Sequence, residues 1–94
     1  MIERLIATAL RNHKDTAAKM RSAAAARDFA TVSFLAHALK GLAGNFSVAA
    51  LAQQAGEVEE LAQQANDEAL ARAERLAELA DKLMLSLATR RKSA

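Results

Sequence analysis

A histidine and a lysine stand three residues apart in a stretch whose other residues are almost all small or apolar. His37 precedes Lys40 in AHALKGLAGNF, residues 36 to 46. A neutral imidazole nitrogen is a good nucleophile near neutral pH. A lysine one helical turn away can offset the negative charge of phosphoryl oxygens, and this electrostatic term dominates phosphoryl transfer. The pair therefore suits a site that accepts a phosphoryl group and passes it on.

Two of the chain's three glycines lie within seven residues after this histidine, although the surrounding stretch has a helical pattern. Each glycine costs about 1 kcal/mol relative to alanine in a helix interior. At about 100° per residue, Ser33, Gly41 and Gly44 lie within about 40° of His37 on the helix surface. A surface without side chains would let a large partner approach the ring. We therefore expect Ser33, Gly41 and Gly44 to form a partner-docking surface around His37.

Four segments with helical spacing of apolar residues must position this surface. The first runs from the N-terminus to about Arg27. Each connection contains polar residues that can cap the next helix, namely Asp28, Ser47, and Asn66 or Asp67. Short connections between amphipathic helices favour an all-α, antiparallel up-down four-helix bundle. Three breaks in so short a chain fit an intramolecular bundle better than a coiled-coil oligomer, so we expect a monomer.

The composition supports a single helical domain over residues 1–94, because the chain has no proline and is rich in alanine and leucine. Its net charge of +2 is too small to imply nucleic-acid binding. No apolar run approaches the roughly 20 residues that span a bilayer. We expect a cytoplasmic protein without membrane insertion. The basic residues near the end favour a frayed, solvated tail over residues 90–94.

The hairpin formed by the second and third segments brings further residues towards His37. The histidine lies about nine residues before the break at Asn45 to Ser47, so residues 55–59 of the next helix should face it. Gly56 falls in this window and is a further candidate for the docking surface. Glu59 lies there too, and its carboxylate could accept the proton of Nδ1 and leave Nε2 free to attack.

The stretch AHALKGLAGNFSVAAL resembles the signature of histidine-containing phosphotransfer (HPt) domains, whose usual form is close to H-x-L-K-G-x-A-x-x-Φ-G with Φ apolar. The resemblance extends over nearly the whole chain, because the family is a four-helix bundle of about this length. One position departs from the pattern, since Ser47 stands where the family usually has glycine. The matching residues, in order, are His37, Leu39, Lys40, Gly41, Ala43 and Phe46.

The resemblance implies a phosphorelay intermediate. It implies that His37 is the phospho-acceptor and that Lys40 interacts with the phosphate. It also implies that Gly41 and Gly44 contact a receiver domain. Glu59 matches a polar residue that hydrogen-bonds the histidine in many members. The partners it implies are response-regulator receiver domains and a sensor or hybrid histidine kinase. No cofactor of its own is expected, because the magnesium of such reactions belongs to the receiver. Without an ATP site, the chain should act as a phosphoryl carrier and not as an autonomous kinase.

Other interpretations of the same residues remain open. An exposed mid-helix histidine is often only a surface residue, and the chain could be a non-catalytic helical adaptor that binds signalling domains through this surface. A dimerising histidine-kinase fragment fits less well, because such fragments usually have an acidic residue after the histidine and a proline nearby. Ala38 follows His37, and the chain has no proline. His13 lies on an apolar stripe, which favours a boundary histidine with a hydrogen bond.

Overall fold

The regular secondary structure of the chain is helical in the computed structural model. The structure describes the backbone of residues 2–93 and the side chains of residues 4–89. The expected all-α class is confirmed, and no strand occurs in the described backbone. The tail predicted over residues 90–94 lies outside the residues whose side chains are described. The helices are α1 (Ile2–His13), α2 (Thr16–Ala25), α3 (Phe29–Asn45), α4 (Ala49–Gln63) and α5 (Glu68–Ser93).

Helices α2 to α5 form an antiparallel four-helix bundle. Each packs against the next in chain order, and α5 closes the ring against α2. The connections are too short to let neighbouring helices run parallel. Helix α5 has 26 residues and is therefore about 39 Å long at 1.5 Å per residue. This length lets α5 contact both α2 and the shorter α1.

The bundle core consists of aliphatic side chains from all four helices, separated by alanines. Burial of such side chains is the main driving force for packing amphipathic helices together. Alanines at other buried positions allow the helices to approach closely. The largest side chains with less than 2% exposure are Met20, Val32, Leu39, Leu51, Val58, Leu76 and Leu87.

The prediction of one continuous helix from the N-terminus to about Arg27 is wrong. This segment forms two helices, α1 and α2, which are separated at Lys14 and Asp15. Residues 12–16 are NHKDT, and asparagine, histidine, aspartate and threonine all have low helix propensity. After the turn, the carbonyl of Asp15 accepts a hydrogen bond from the Lys19 amide at 2.9 Å. The apolar spacing continues across this point, so it indicates the buried face but not the interruption.

Two of the predicted helix starts are confirmed by side-chain hydrogen bonds. Asp28 accepts from the Thr31 amide at 3.1 Å and from the Thr31 hydroxyl at 2.6 Å. These bonds hold the pKa of the Asp28 carboxyl below its usual range. Asn66 Oδ1 accepts from the Glu68 amide at 2.9 Å, at the first turn of α5. Both side chains thus satisfy backbone donors that a helix start leaves free.

Three helices end in the same hydrogen-bonded motif. Arg27, Ser47 and Ala65 have φ values of 56°, 56° and 53°, and they follow the C-caps of α2, α3 and α4. At the end of α3, the Val48 amide donates to the Ala43 carbonyl at 2.9 Å, and equivalent bonds close the other two helices. This pattern is the Schellman motif, which satisfies the last carbonyls of a helix and usually has glycine in the left-handed position.

The predicted role of Ser47 as the N-cap of α4 is wrong. Val48 occupies that position, with φ −96° and ψ 86°, and it makes no side-chain cap hydrogen bond. Ser47 instead holds the left-handed position of the Schellman motif, where a Cβ crowds the backbone. Glycine adopts this conformation without such crowding.

Replacing Ser47 with glycine should raise the free energy of unfolding by about 1 kcal/mol, because glycine adopts positive φ without a Cβ clash. Urea denaturation of both proteins measures the difference. Ser47→Ala is the matched control and should bring no such gain, since alanine keeps the Cβ. A Ser47→Gly variant no more stable than the parent chain would contradict this account of the turn.

Candidate functional site

The exposed seam between α3 and α4 brings together the residues that the sequence singled out. His37 on α3 contacts Glu59 on α4, and Lys40 on α3 passes over Gly56 on α4. A step of three residues along α3 corresponds to a step of three residues back along α4. Both pairs therefore belong to one antiparallel register, and they lie one helical turn apart.

His37 and Glu59 form a hydrogen-bonded pair in which only the histidine is open to solvent. Nδ1 of His37 lies 2.8 Å from Oε2 of Glu59, and the two side chains are 72% and 17% exposed. A carboxylate can only accept hydrogen bonds, so Nδ1 carries the hydrogen and donates it to Oε2. In the neutral ring, Nε2 is then the nitrogen with a free lone pair. The pair fixes the tautomer in which Nε2 is the nucleophile.

Gly41 and Gly44 leave the surface beside His37 bare. A Cβ built on either glycine would have no heavy atom within 4 Å, apart from the adjoining helix backbone. Neither glycine is therefore required for close packing inside this chain. Their cost to the helix has no compensation within the described structure, which points to a requirement outside it. Ser33 lies on the same face of α3, one turn before His37, and is half-buried.

Lys40 provides the positive charge of this surface. Its ammonium makes no hydrogen bond or ion pair with the side chains described for residues 4–89. In the sequence, Lys40 is the only lysine, arginine, aspartate or glutamate between Asp28 and Glu57. Helix α3 and the first half of α4 therefore present a nearly uncharged surface with one available cation.

Phe34 is a further functional candidate, which the helical spacing around His37 did not indicate. Its side chain is 73% exposed, one turn before His37 on α3. On the other side of His37, beyond Gly44, a shallow apolar depression is lined by residues that include Val48 and Ala52. The signal in the sequence was an aromatic residue lying off the apolar stripe of its helix. Exposed aromatic residues on an uncharged surface are typical of protein-binding sites.

His13 has a different environment, in line with the boundary role expected from the sequence. It is half-buried at the end of α1, and its Nδ1 lies 3.4 Å from the Thr16 hydroxyl. Burial lowers the pKa of this imidazole. No carboxylate is paired with it among the side chains described. His13 therefore lacks the oriented, exposed nitrogen that distinguishes His37.

The described residues contain neither a cluster suited to a metal ion nor a helix suited to a membrane span. Among residues 4–89, no three histidine, cysteine, aspartate or glutamate side chains are grouped so that they could hold a metal ion. Within the backbone described, no helix combines the length and apolarity needed to cross a bilayer.

The fold and the site define a helical bundle that presents an oriented histidine, with one lysine beside it, on a surface that carries little other charge. The family model of the Hpt domain matches residues 4–91, nearly the whole chain. The chain belongs to the Hpt domain family. This family carries out phosphotransfer in two-component signalling, where its members interact with receiver domains and kinases. Searches of curated proteins and of solved structures found no match to the chain.

Proposed function

We propose that the chain is a phosphorelay intermediate. His37 accepts a phosphoryl group from the aspartate of one receiver domain and passes it to the aspartate of another. The observation that carries this proposal is the His37–Glu59 pair, in which an exposed ring is oriented by a largely shielded carboxylate. Family membership supports phosphotransfer in general, and the geometry supports His37 as its acceptor.

The proposed reaction begins with the lone pair of His37 Nε2. It attacks the phosphorus of an aspartyl phosphate, and a P–N bond forms as the P–O bond to the aspartate breaks. The aspartate leaves as a carboxylate. Nδ1 keeps its proton, so the phosphorylated ring is cationic, and Glu59 offsets that charge at 2.8 Å. A carboxylate oxygen of the second receiver then attacks the phosphorus and releases the neutral imidazole.

Lys40 supplies electrostatic stabilisation in this proposal. Its ammonium is free to interact with the phosphoryl oxygens as charge shifts between donor and acceptor. We propose that the chain needs no cofactor of its own and that the magnesium ion is held by the receiver. The chain then acts as a carrier, and the receivers supply the remaining catalytic groups.

The surface around His37 is the proposed docking site for the receiver. Phe34 stands on one side of the ring, and Gly41 and Gly44 clear the other side. Such a surface allows apolar contact close to the reacting nitrogen. Apolar contacts near the centre of an interface contribute most of its binding energy.

Substituting alanine for Phe34 should weaken receiver binding about 10-fold, because an exposed aromatic anchor is lost. Calorimetric titration of the chain with its receiver gives the dissociation constant. Leu85→Ala is the matched control, because Leu85 is equally apolar and 70% exposed but lies on α5. If both substitutions weakened receiver binding equally, Phe34 would not be a specific contact residue for the receiver.

Removing the Glu59 carboxylate should slow phosphoryl acceptance by about 10- to 100-fold, as expected for one hydrogen bond to a charged group. Glu59→Ala deletes the acceptor of the Nδ1 hydrogen, and neither the tautomer nor the ring orientation is then held. Glu59→Gln keeps an acceptor oxygen but loses the negative charge, so its rate should fall between those of the parent and Glu59→Ala. Initial rates of labelling from a phosphorylated receiver measure both effects. A Glu59→Ala chain labelled at the parental rate would rule out an orienting role.

The proposed function is tested by incubating the chain with a radiolabelled, phosphorylated receiver. The expected product is a label on the chain that is labile in acid and stable in base, as phosphohistidine is. Mass spectrometry should place it on His37, and an unlabelled second receiver should remove it. A chain that binds the receiver without ever acquiring label would be an adaptor, and the proposal would be wrong.

A further inference from the structure

The stem of Lys40 lies across α4 at the one position of that helix without a side chain. A Cβ built on Gly56 would be 3.9 Å from Lys40 Cε and 4.0 Å from Lys40 Cδ. Gly56 therefore differs from Gly41 and Gly44, whose built Cβ atoms have open space around them. The absence of a side chain at Gly56 leaves a space on α4, which we call the seat. The aliphatic stem of Lys40 extends from α3 into this space.

This seat places Lys40 one turn from the His37–Glu59 pair, in the same seam. The last methylene groups of Lys40 lie beside the position that a Cβ of Gly56 would occupy, and the ammonium makes no ion pair with the side chains described. Long basic side chains commonly pack their methylenes on a surface while the charged end stays in water. The stem is thus positioned, and the charge remains available.

We infer that Gly56 is a positioning residue for phosphoryl transfer, because it lets the Lys40 stem cross from α3 onto α4 one turn from the His37–Glu59 pair. This inference rests on the proposed function. A side chain longer than alanine at position 56 would occupy the space of the Lys40 stem and lift it away from α4. Alanine itself would fit, because contacts of 3.9 and 4.0 Å are ordinary van der Waals distances.

The test compares Gly56→Gln, Gly56→Ala, Lys40→Met and the double variant Lys40→Met/Gly56→Gln. Glutamine is a good helix former, and thermal unfolding followed by circular dichroism checks that each chain is folded. Phosphoramidate, a small phosphoryl donor, labels His37 without any receiver. The titration midpoint of the attached phosphoryl group is then followed by ³¹P NMR, which reports the nearby positive charge directly.

The Lys40→Met substitution should raise that midpoint by about 0.5 unit, as expected for the loss of one exposed cation. Gly56→Gln should raise it by a similar amount, and Gly56→Ala should leave it unchanged. The double variant should match Lys40→Met alone, because glutamine at position 56 acts only by displacing the lysine. Transfer to the receiver should be slower in both Lys40→Met and Gly56→Gln than in the parent chain.

The outcomes separate this inference from the proposed function. If Lys40→Met shifts the midpoint and Gly56→Gln does not, Gly56 has no positioning role, while His37 remains the acceptor. If the effects of Lys40→Met and Gly56→Gln add in the double variant, Gly56 acts independently of the lysine, and the inference is again wrong. If His37 takes no phosphoryl group from either phosphoramidate or a receiver, the proposed function itself fails.

Discussion

Glutamine in place of His37 should abolish phosphoryl labelling of the chain while leaving its fold and its receiver binding intact. Nothing else in the site offers a comparable nucleophile, since the Lys40 ammonium has no free lone pair and Glu59 is largely shielded. The glutamine amide can still donate a hydrogen bond to Glu59, so the contact between α3 and α4 is kept. The substitution therefore removes the nucleophile and little else.

The measurement is the same receiver-labelling assay, with binding followed separately by calorimetry. His13→Gln is the matched control, because it changes the other histidine of the chain at a half-buried position away from the seam. It should be labelled at the parental rate. Labelling of the His37→Gln chain would show that another residue accepts the phosphoryl group, and equal loss in both variants would indicate a structural effect.

The geometry of the His37 site could be predicted because a short antiparallel hairpin leaves few choices of register. Placing the break near Asn45 to Ser47 put residues 55–59 opposite His37, and the structure has Glu59 there. The rise per residue is the same in both helices, so counting from the turn is enough. The chemical roles of these residues are a separate matter, and the labelling experiments test them.

Other features could not be predicted, because they depend on side-chain conformation or on backbone detail. The spacing of apolar residues is continuous through Lys14 and Asp15, so it gave no sign that the helix is interrupted there. A serine after a helix can serve either as an N-cap or as the left-handed residue of a Schellman motif, and only the dihedral angle distinguishes them at Ser47. The path of the Lys40 stem over Gly56 likewise follows from a choice among rotamers.

Alanine at both Gly41 and Gly44 should stabilise the chain and impair its transfer reaction at the same time. Each substitution should add about 1 kcal/mol to the free energy of unfolding through helix propensity alone. No internal clash opposes the gain, since neither Cβ would meet an atom within 4 Å. On the docking surface, the two methyl groups would instead hold the receiver away from the ring. Overpacking of a close contact costs about 1–3 kcal/mol, which corresponds to a loss of binding of about 5- to 150-fold.

A small phosphoryl donor separates the docking effect from any damage to the acceptor. Phosphoramidate should label His37 in the Gly41→Ala/Gly44→Ala chain as fast as in the parent, because a small molecule does not need the cleared surface. Labelling from the receiver should be slowed, with a weaker dissociation constant in calorimetry and a higher urea midpoint in denaturation. Parental rates from the receiver would mean that the bare surface serves no partner. A loss of stability would mean that the glycines are needed inside the fold, contrary to the open space around them.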